Sequence, residues 1–544
     1  MLAGASGLVF AASTPPIDFQ PGIPLGLVGF ALALAAGAPD ALKRIRGGAA
    51  RGFAFGLAAN LLALRFVPEV LARFTPLPAV ANWLALVLLA AAQALPWAAC
   101  GALATWLAGP GARRPATSRP LAFAAGVYGA AFVPAVFPWT PAGGLTGWPV
   151  LLQTAELVGE RGTSFLVAIA CALVAEGVAR ALGGSREAAP ADGARPSLEP
   201  AGARSERRAR LATGARHVAL AAGLFGLLAL YGALRTRAVD AARAGAPHAR
   251  VALVQPDFDA MFRWEEHRAA RMMDRLSALT RRAEEGGAVL TVWPESAYPY
   301  TLAHGVSRSP SGNRAVLQQG VRGPVLTGAY LTKGGGLGTN STILVLADGS
   351  IGPSYDKRHL LWFGETVPFA DTFPVLRRIF ARGTGIAPGT ESVAFRTGPI
   401  VATVLSCYED TLPQAGREAM EPRPNLLVNV TNDAWFAGSA EGELHLRLAT
   451  LRAIEARRDL VRAVNRGPTT WVDAAGRVVA RREPTPGLGA SPPLLADVAL
   501  LETPITLYTR FGDAPLAILV VVALALPTTL RRGRRARPAP EPSP

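Results

Sequence analysis

Two hydrophobic rhythms divide the 544-residue chain. Through the first 235 residues apolar positions run on without a polar face, in stretches at 22–38, 52–67, 79–108, 120–137, 163–182 and 217–234, with one more at 514–530. A bilayer-crossing helix needs about 20 mostly apolar residues, so this pattern predicts a helical membrane domain over 1–235 and a C-terminal span over 514–530. The opening stretch 2–13 is short and has no basic leader, which reads as an abbreviated first span rather than a signal peptide.

Between 248 and 498 the rhythm changes. VALVQPDF (251–258) predicts a buried strand, a charged amphipathic helix follows over 261–285, and AVLTVWPE (288–295) returns to strand. PVLTGAYL, STILVLAD with its Asp348-Gly349 turn, SVAFRTG, VATVLSCY and NLLVNVTN continue the pattern. Helical periodicity reappears over 443–460, and a short hairpin turns near Ala475-Gly476. Strands mixed with helices predict an α/β or layered α+β domain.

Charge orients these parts. The net charge is +16, yet no basic stripe is interleaved with stacking aromatics, so lipid headgroups fit the arginines better than nucleic acid does. Lys43, Arg44, Arg46 and Arg51 form one cluster, and Arg113, Arg114 and Arg119 a second. Arg204, Arg207, Arg208, Arg210 and Arg216 form a third, and Arg531, Arg532, Arg534, Arg535 and Arg537 the last. An even number of spans separates successive clusters, which places all four on the cytoplasmic side. On that parity 184–212 is a cytoplasmic linker, 531–544 a basic cytoplasmic tail, and 248–498 an extracytoplasmic domain. Arg235, Arg237 and Arg243 run against the bias locally.

Three cysteines exclude a disulfide-dense scaffold, and Cys100 and Cys171 sit in apolar spans. Cys407 instead ends an apolar strand, in SCYED. A cysteine nucleophile needs a base, a positive charge and an oxyanion donor nearby, because its thiolate is the reactive form and apolar burial suppresses it. WPESA puts Glu295 straight after a strand beside Trp293, where a carboxylate with a raised pKa would suit a general base. YDKRHLLWFGETVPF places Lys357 before a loop rich in Leu360, Leu361, Trp362, Phe363 and Phe369, with Glu365 available to pair with it. Lysine there would stabilise a tetrahedral oxyanion. The histidines show no metal-ligand spacing of the HExxH kind, so His359 and His445 read as structural. LTKGGGLGTN (331–340) lacks the helix-opening context of a phosphate loop.

WPESA, YDKRHLLWFGE, SCYED and NDAWF, in this order, resemble the nitrilase superfamily and its Glu-Lys-Cys triad. With spans before that domain and one after it, the whole chain resembles the apolipoprotein N-acyltransferase family. The resemblance implies a membrane domain carrying an αββα-layered domain on the periplasmic side of the bacterial inner membrane. It implies Glu295 as base, Lys357 as oxyanion stabiliser and Cys407 as nucleophile, with supporting roles for Glu365 and Glu409, and with Tyr408 and Trp435 lining the site. It further implies a phosphatidylethanolamine-like acyl donor, a diacylglyceryl lipoprotein acceptor, and no metal or cofactor. Trp362 stands where the family often has proline, Ala437 where glycine is usual, and RAVNRG (462–467) replaces a more threonine-rich version. The loop at 360–380 is the candidate lipid-facing wall. On the residues alone, a membrane-tethered amidase and an inert nitrilase-like binding or scaffold protein remain alternatives.

Overall fold

The computed structural model describes residues 1–35, 40–108, 118–182, 201–259, 268–318, 320–334, 337–380, 385–484 and 491–529. The linker residues 184–200, the tail 531–544, the helix start 261–267 and the cluster residues Arg113 and Arg114 lie outside the described residues.

The apolar stretches become helices α1 (Leu2–Ala11), α2 (Gly22–Ala35), α3 (Ala41–Ala63), α4 (Val67–Phe74), α5 (Ala79–Leu107), α6 (Ser118–Ala130), α7 (Ala155–Ala181) and α8 (Ala201–Gly245). Among the described residues, three helical segments are long and apolar enough to cross a membrane: α5, α7 and Ser205–Gly245 of α8. The pair α3 and α4 makes a fourth if its 55° bend is counted within one span, while α1 and α2 are shorter apolar helices. The stretch read as a span at 52–67 is therefore the second half of α3 plus that bend. The stretch read as linker up to 212 is helical from Ala201 onward, because α8 runs 45 residues without a break.

Glycine sets the closest approach in this domain. Gly48, Gly52 and Gly56 recur every four residues on the face of α3 that meets α5. A Cβ at Gly52 would lie 2.0 Å from the Trp97 carbonyl oxygen. Small residues let helix backbones pack where lipid provides no hydrophobic drive for association. Around that seam Phe10, Phe30, Phe55 and Phe123 form a buried core with the rim of Trp97.

Helix α8 leads straight into the strands β1 (His248–Leu253), β2 (Leu290–Val292), β3 (Thr301–Ala303), β4 (Val325–Gly334), β5 (Leu337–Val345) and β6 (Tyr355–Asp356). With β7 (Phe395–Thr397), β8 (Ile400–Ser406), β9 (Leu426–Asn432), β10 (Leu460–Asn465), β11 (Thr469–Val472), β12 (Val478–Arg482) and β13 (Leu494–Ala499) they form two sheets. One has the order β13-β1-β2-β4-β5-β6 with β3 also on β4, and the other β12-β11-β10-β9-β8-β7. The pairs β1–β2, β2–β4, β8–β9 and β9–β10 are parallel.

Alternation along each strand explains the layering. Ala402 and Val404 of β8 join Val251, Val292, Val428 and Val461 in the core between the sheets. The outer face of the first sheet is covered by α9 (Ala269–Glu285) through Met273 and Leu276. That of the second is covered by α11 (Pro413–Glu418) and α12 (Glu441–Ala456), α10 (Val375–Ile379) being a short turn in the loop after β6. The result is the expected multi-span helical domain joined to an αββα-layered domain. Helices α13 (Leu507–Phe511) and α14 (Ala514–Thr529) return the chain to the membrane domain, where Val520 joins its core.

Ion pairs lock the two domains together. Arg452 of α12 is wholly buried, with Nη2 at 2.6 Å from Glu160 of α7 and Nε at 3.1 Å from Glu455. Arg457 reaches Glu156 of α7 at 2.7 Å, and Arg235 of α8 reaches the same carboxylate at 2.5 Å. Arg243, near the end of α8, pairs with Asp459 at 2.9 Å.

Candidate active site

Cys407 is delivered by a turn that few side chains tolerate. It follows β8 and opens a 3-10 turn, Cys407–Thr411, with φ at +49°. A left-handed backbone at a residue other than glycine costs of order 1–3 kcal/mol and persists only when its surroundings enforce it. Here they do. The Glu409 carboxylate accepts from the Ser406 N–H at 2.7 Å, closing a capping box, and the Asn429 side chain donates to the carbonyls of Leu405 and Cys407 at 3.0 and 3.2 Å. Glu409 also accepts from the Tyr355 hydroxyl at 2.7 Å and from the N–H groups of Arg358 and His359 at 2.8 and 3.0 Å. It is buried, and burial pushes its pKa up although every one of these donors pulls it down. One carboxylate thus fastens the turn of Cys407 to the loop of Lys357.

Lys357 follows β6 and is 2 % exposed. Its Nζ lies 3.2 Å from Glu295 Oε1 and 2.8 Å from Glu365 Oε2. Burial alone would pull the lysine down, but the two carboxylates hold its pKa well above the ordinary range and keep it charged. Burial likewise pushes Glu365 up, and Lys357 with the Leu361 N–H more than reverses this. Glu295, in the loop after β2, accepts from the Asn340 side chain at 2.7 Å and from the Asn432 N–H at 3.1 Å. Asn340 donates at 2.8 Å to Glu365 as well, so it fixes the spacing of the two glutamates. The Glu295 loop rests directly on β4: a Cβ at Gly328 would come within 2.3 Å of the Ser296 nitrogen and 2.7 Å of the Glu295 Cα.

Glu295, Lys357 and Cys407 come together on the wall of one cavity of about 890 Å³, which also takes in Glu365, Asn432 and Trp435. The trio is assembled from strand ends of both sheets, so neither sheet carries it alone. Burial first, then the charge of Glu295, push the Cys407 thiol well up while Lys357 pulls it down, so the resting group is the thiol. The far wall belongs to the membrane domain, with Phe66, Val70, Leu71 and Phe74 from the α3–α4 bend and Leu88 and Leu89 from α5. Leu361, Trp362, Phe363 and Phe380 of the loop after β6 close one side, and Phe369 and Phe373 of that loop are exposed.

Trp435 packs edge-on to Phe74, 4.8 Å between ring centres, joining the site to α4. Tyr408, expected to line the site, donates its hydroxyl to the Ala135 carbonyl at 3.1 Å and borders a small hollow that also takes in Cys407, Leu361 and His445. Its role is to tie the turn to the loop after α6.

Comparison with known proteins follows the same two-part division. Residues 6–173 match the family described as the apolipoprotein N-acyltransferase N-terminal domain, and residues 250–489 match carbon-nitrogen hydrolase. The apolipoprotein N-acyltransferase of Geobacter metallireducens is 31% identical over 523 residues, covering 94% of this chain and 91% of its own. The chain belongs to the apolipoprotein N-acyltransferase family. It is a multi-pass inner-membrane acyltransferase of that type. The family's Caulobacter vibrioides relative is 28% identical over 548 residues, covering 98% of this chain and 95% of its own. A solved amidase of the nitrilase superfamily from Nesterenkonia AN1 is 18% identical, covers 51% of this chain and 99% of its own, and has a TM-score of 0.35.

Several groups at the site of this N-acyltransferase family member escaped the sequence. Asn340 stands within a strand and carries no motif of its own, and Asn432, though it opens NDAWF, is given no role by the sequence. The residues of α4 and α5 on the cavity wall are ordinary apolar positions in sequence, and only the 55° bend after α3 turns them toward the site.

Proposed function

We propose that this protein N-acylates the S-diacylglyceryl cysteine of lipoproteins from a phospholipid donor, in two half-reactions through a thioester on Cys407. The observation that supports this is the mixed wall of the cavity. A nucleophile, a base and a cation face apolar helices of the membrane domain across about 890 Å³, near the upper end of ordinary ligand cavities. A site built for a small soluble amide has no use for such a wall; an acyl chain does.

In the first half-reaction Glu295 takes the thiol proton as sulfur attacks the ester carbonyl. Two of the three N–H bonds of Lys357 are directed at Glu295 and Glu365, leaving one for the oxyanion. Collapse breaks the C–O bond, and the lysophospholipid leaves with the proton from Glu295. In the second the neutral α-amine attacks the thioester; its nitrogen gives a proton to Glu295, which passes it to the departing sulfur as the C–S bond breaks, so that an amide forms and the thiol is restored. Asn340, Glu365 and Glu409 hold these groups in place, and Trp435 borders the acyl path. The donor is phosphatidylethanolamine-like, and the catalytic domain faces the periplasm, on the positive-inside argument from the four basic clusters.

Incubation with phospholipid alone should leave an acyl group on Cys407 that neutral hydroxylamine releases. An acyl-enzyme that forms only when the lipoprotein acceptor is present would refute the order of steps. Alkaline phosphatase fused near Gly349 should be active and fused near Pro190 inactive; the reverse would refute the orientation.

A further inference from the structure

His445, read from the sequence as structural, sits on α12 directly behind the nucleophile and is 4 % exposed. Its Nε2 lies 2.8 Å from Asp410 Oδ1 and 3.2 Å from the Cys407 carbonyl oxygen. Its Nδ1 lies 3.3 Å from Asp433 Oδ1 and 4.0 Å from Glu441 Oε1. Both ring nitrogens thus face oxygen acceptors, and only a doubly protonated imidazole donates on both sides. The charged and titratable groups around the ring are Asp410 of the Cys407 turn, Asp433 of the turn after β9 and Glu441 of α12. Behind Asp410 stands Arg462 of β10, whose Nε is 2.9 Å from its other oxygen. Burial would push His445 down, but the two aspartates hold it well above its ordinary range. Burial also raises Glu441 to about 8, so at neutral pH it keeps its proton and the cluster balances two cations against two anions.

That balance bears on the thiol. Asp433 adds to the forces that push the Cys407 thiol up, after burial and Glu295. We infer that His445 is a positioning residue: as a buried imidazolium it holds the Cys407 carbonyl in its left-handed turn and cancels the Asp433 charge that opposes thiolate formation. The inference rests on the reading of Cys407 as the nucleophile.

The test uses the full-length enzyme in detergent, with the uncharged alkylator iodoacetamide at pH 8 and Cys407 followed by peptide mass spectrometry. H445Q should slow Cys407 alkylation about tenfold, equivalent to one unit in thiol pKa. D433N should speed it about threefold, equivalent to roughly half a unit. The double variant should return near wild type, and H445Q should lower kcat for acyl transfer with little change in KM. A purely structural histidine would not give opposite shifts. Rates that move in the same direction, or do not move, in folded variants would overturn the inference. If H445Q does not fold, D433N decides alone: faster alkylation supports the inference, and an unchanged or slower rate overturns it. A wild-type Cys407 no more reactive than Cys100 and Cys171 would overturn the nucleophile reading, and this inference with it.

Discussion

Two buried cations in this protein have nearly the same partners and, on the function proposed above, opposite uses. Lys357 stands between Glu295 and Glu365 at 3.2 and 2.8 Å; Arg452 stands between Glu160 and Glu455 at 2.6 and 3.1 Å. Each is 2 % exposed or less. Burial and pairing therefore do not mark a catalytic group by themselves. Lys357 opens on a cavity that also holds Cys407, whereas Arg452 is sealed where α12 meets α7. The residue types fit the division: a guanidinium stays charged and suits a permanent lock, while a lysine ammonium is a compact charge that redirects its protons easily.

The comparison can be broken by removing each cation. Lys357→Met should lower acyl transfer per folded molecule about 10³-fold, the scale of losing an oxyanion donor, besides the stability lost when Glu295 and Glu365 are left without their cation. Arg452→Met should spare the chemistry. It leaves two buried carboxyls without their cation and should cost about 3–5 kcal/mol of stability, read by denaturant or thermal unfolding, with kcat per folded molecule unchanged. Loss of kcat in both variants would mean that the interdomain lock is part of the catalytic apparatus.

Smaller effects sharpen the contrast. Gly328→Ala forces a methyl group against the Glu295 backbone and should cost about 1–3 kcal/mol, with kcat falling more than KM changes. The lock should also respond to pH. Burial raises Glu455 from the ordinary 4.5 to about 8, Arg452 offsetting only part of it. The folded chain then keeps a proton that the unfolded chain loses, so this contribution is full below about 4.5 and fades as pH rises toward 8. Glu455→Gln should flatten the pH dependence of unfolding across that window.

Sequence singled out Glu295, Lys357 and Cys407 because each stands at a strand end inside a short, distinctive motif, and the fold gathers the three on one cavity wall. The two-domain division was legible from the change in hydrophobic rhythm. What stayed hidden depends on contacts between elements distant in sequence. Gly48, Gly52 and Gly56 reveal their purpose only against Trp97 and Gly101 of α5. The hydrogen bond of Tyr408 to the Ala135 carbonyl likewise joins residues far apart in sequence. The span at 52–67 missed the bend because α3 and α4 are both apolar, and hydropathy does not record direction.

Helix α8 has a mechanical consequence. Its 45 residues rise about 68 Å along their path, roughly twice the hydrocarbon thickness of a bilayer. The stretch between Arg216 and Arg235 alone accounts for about 30 Å. Beyond it, Arg235 and Arg243 pair with Glu156 and Asp459, so on the proposed orientation neither counts as a free positive charge at that end. The catalytic domain is thus bolted to a strut of fixed height. On the function proposed above both substrates are lipid-anchored, and they would reach a domain held at that height sideways, by diffusion in two dimensions.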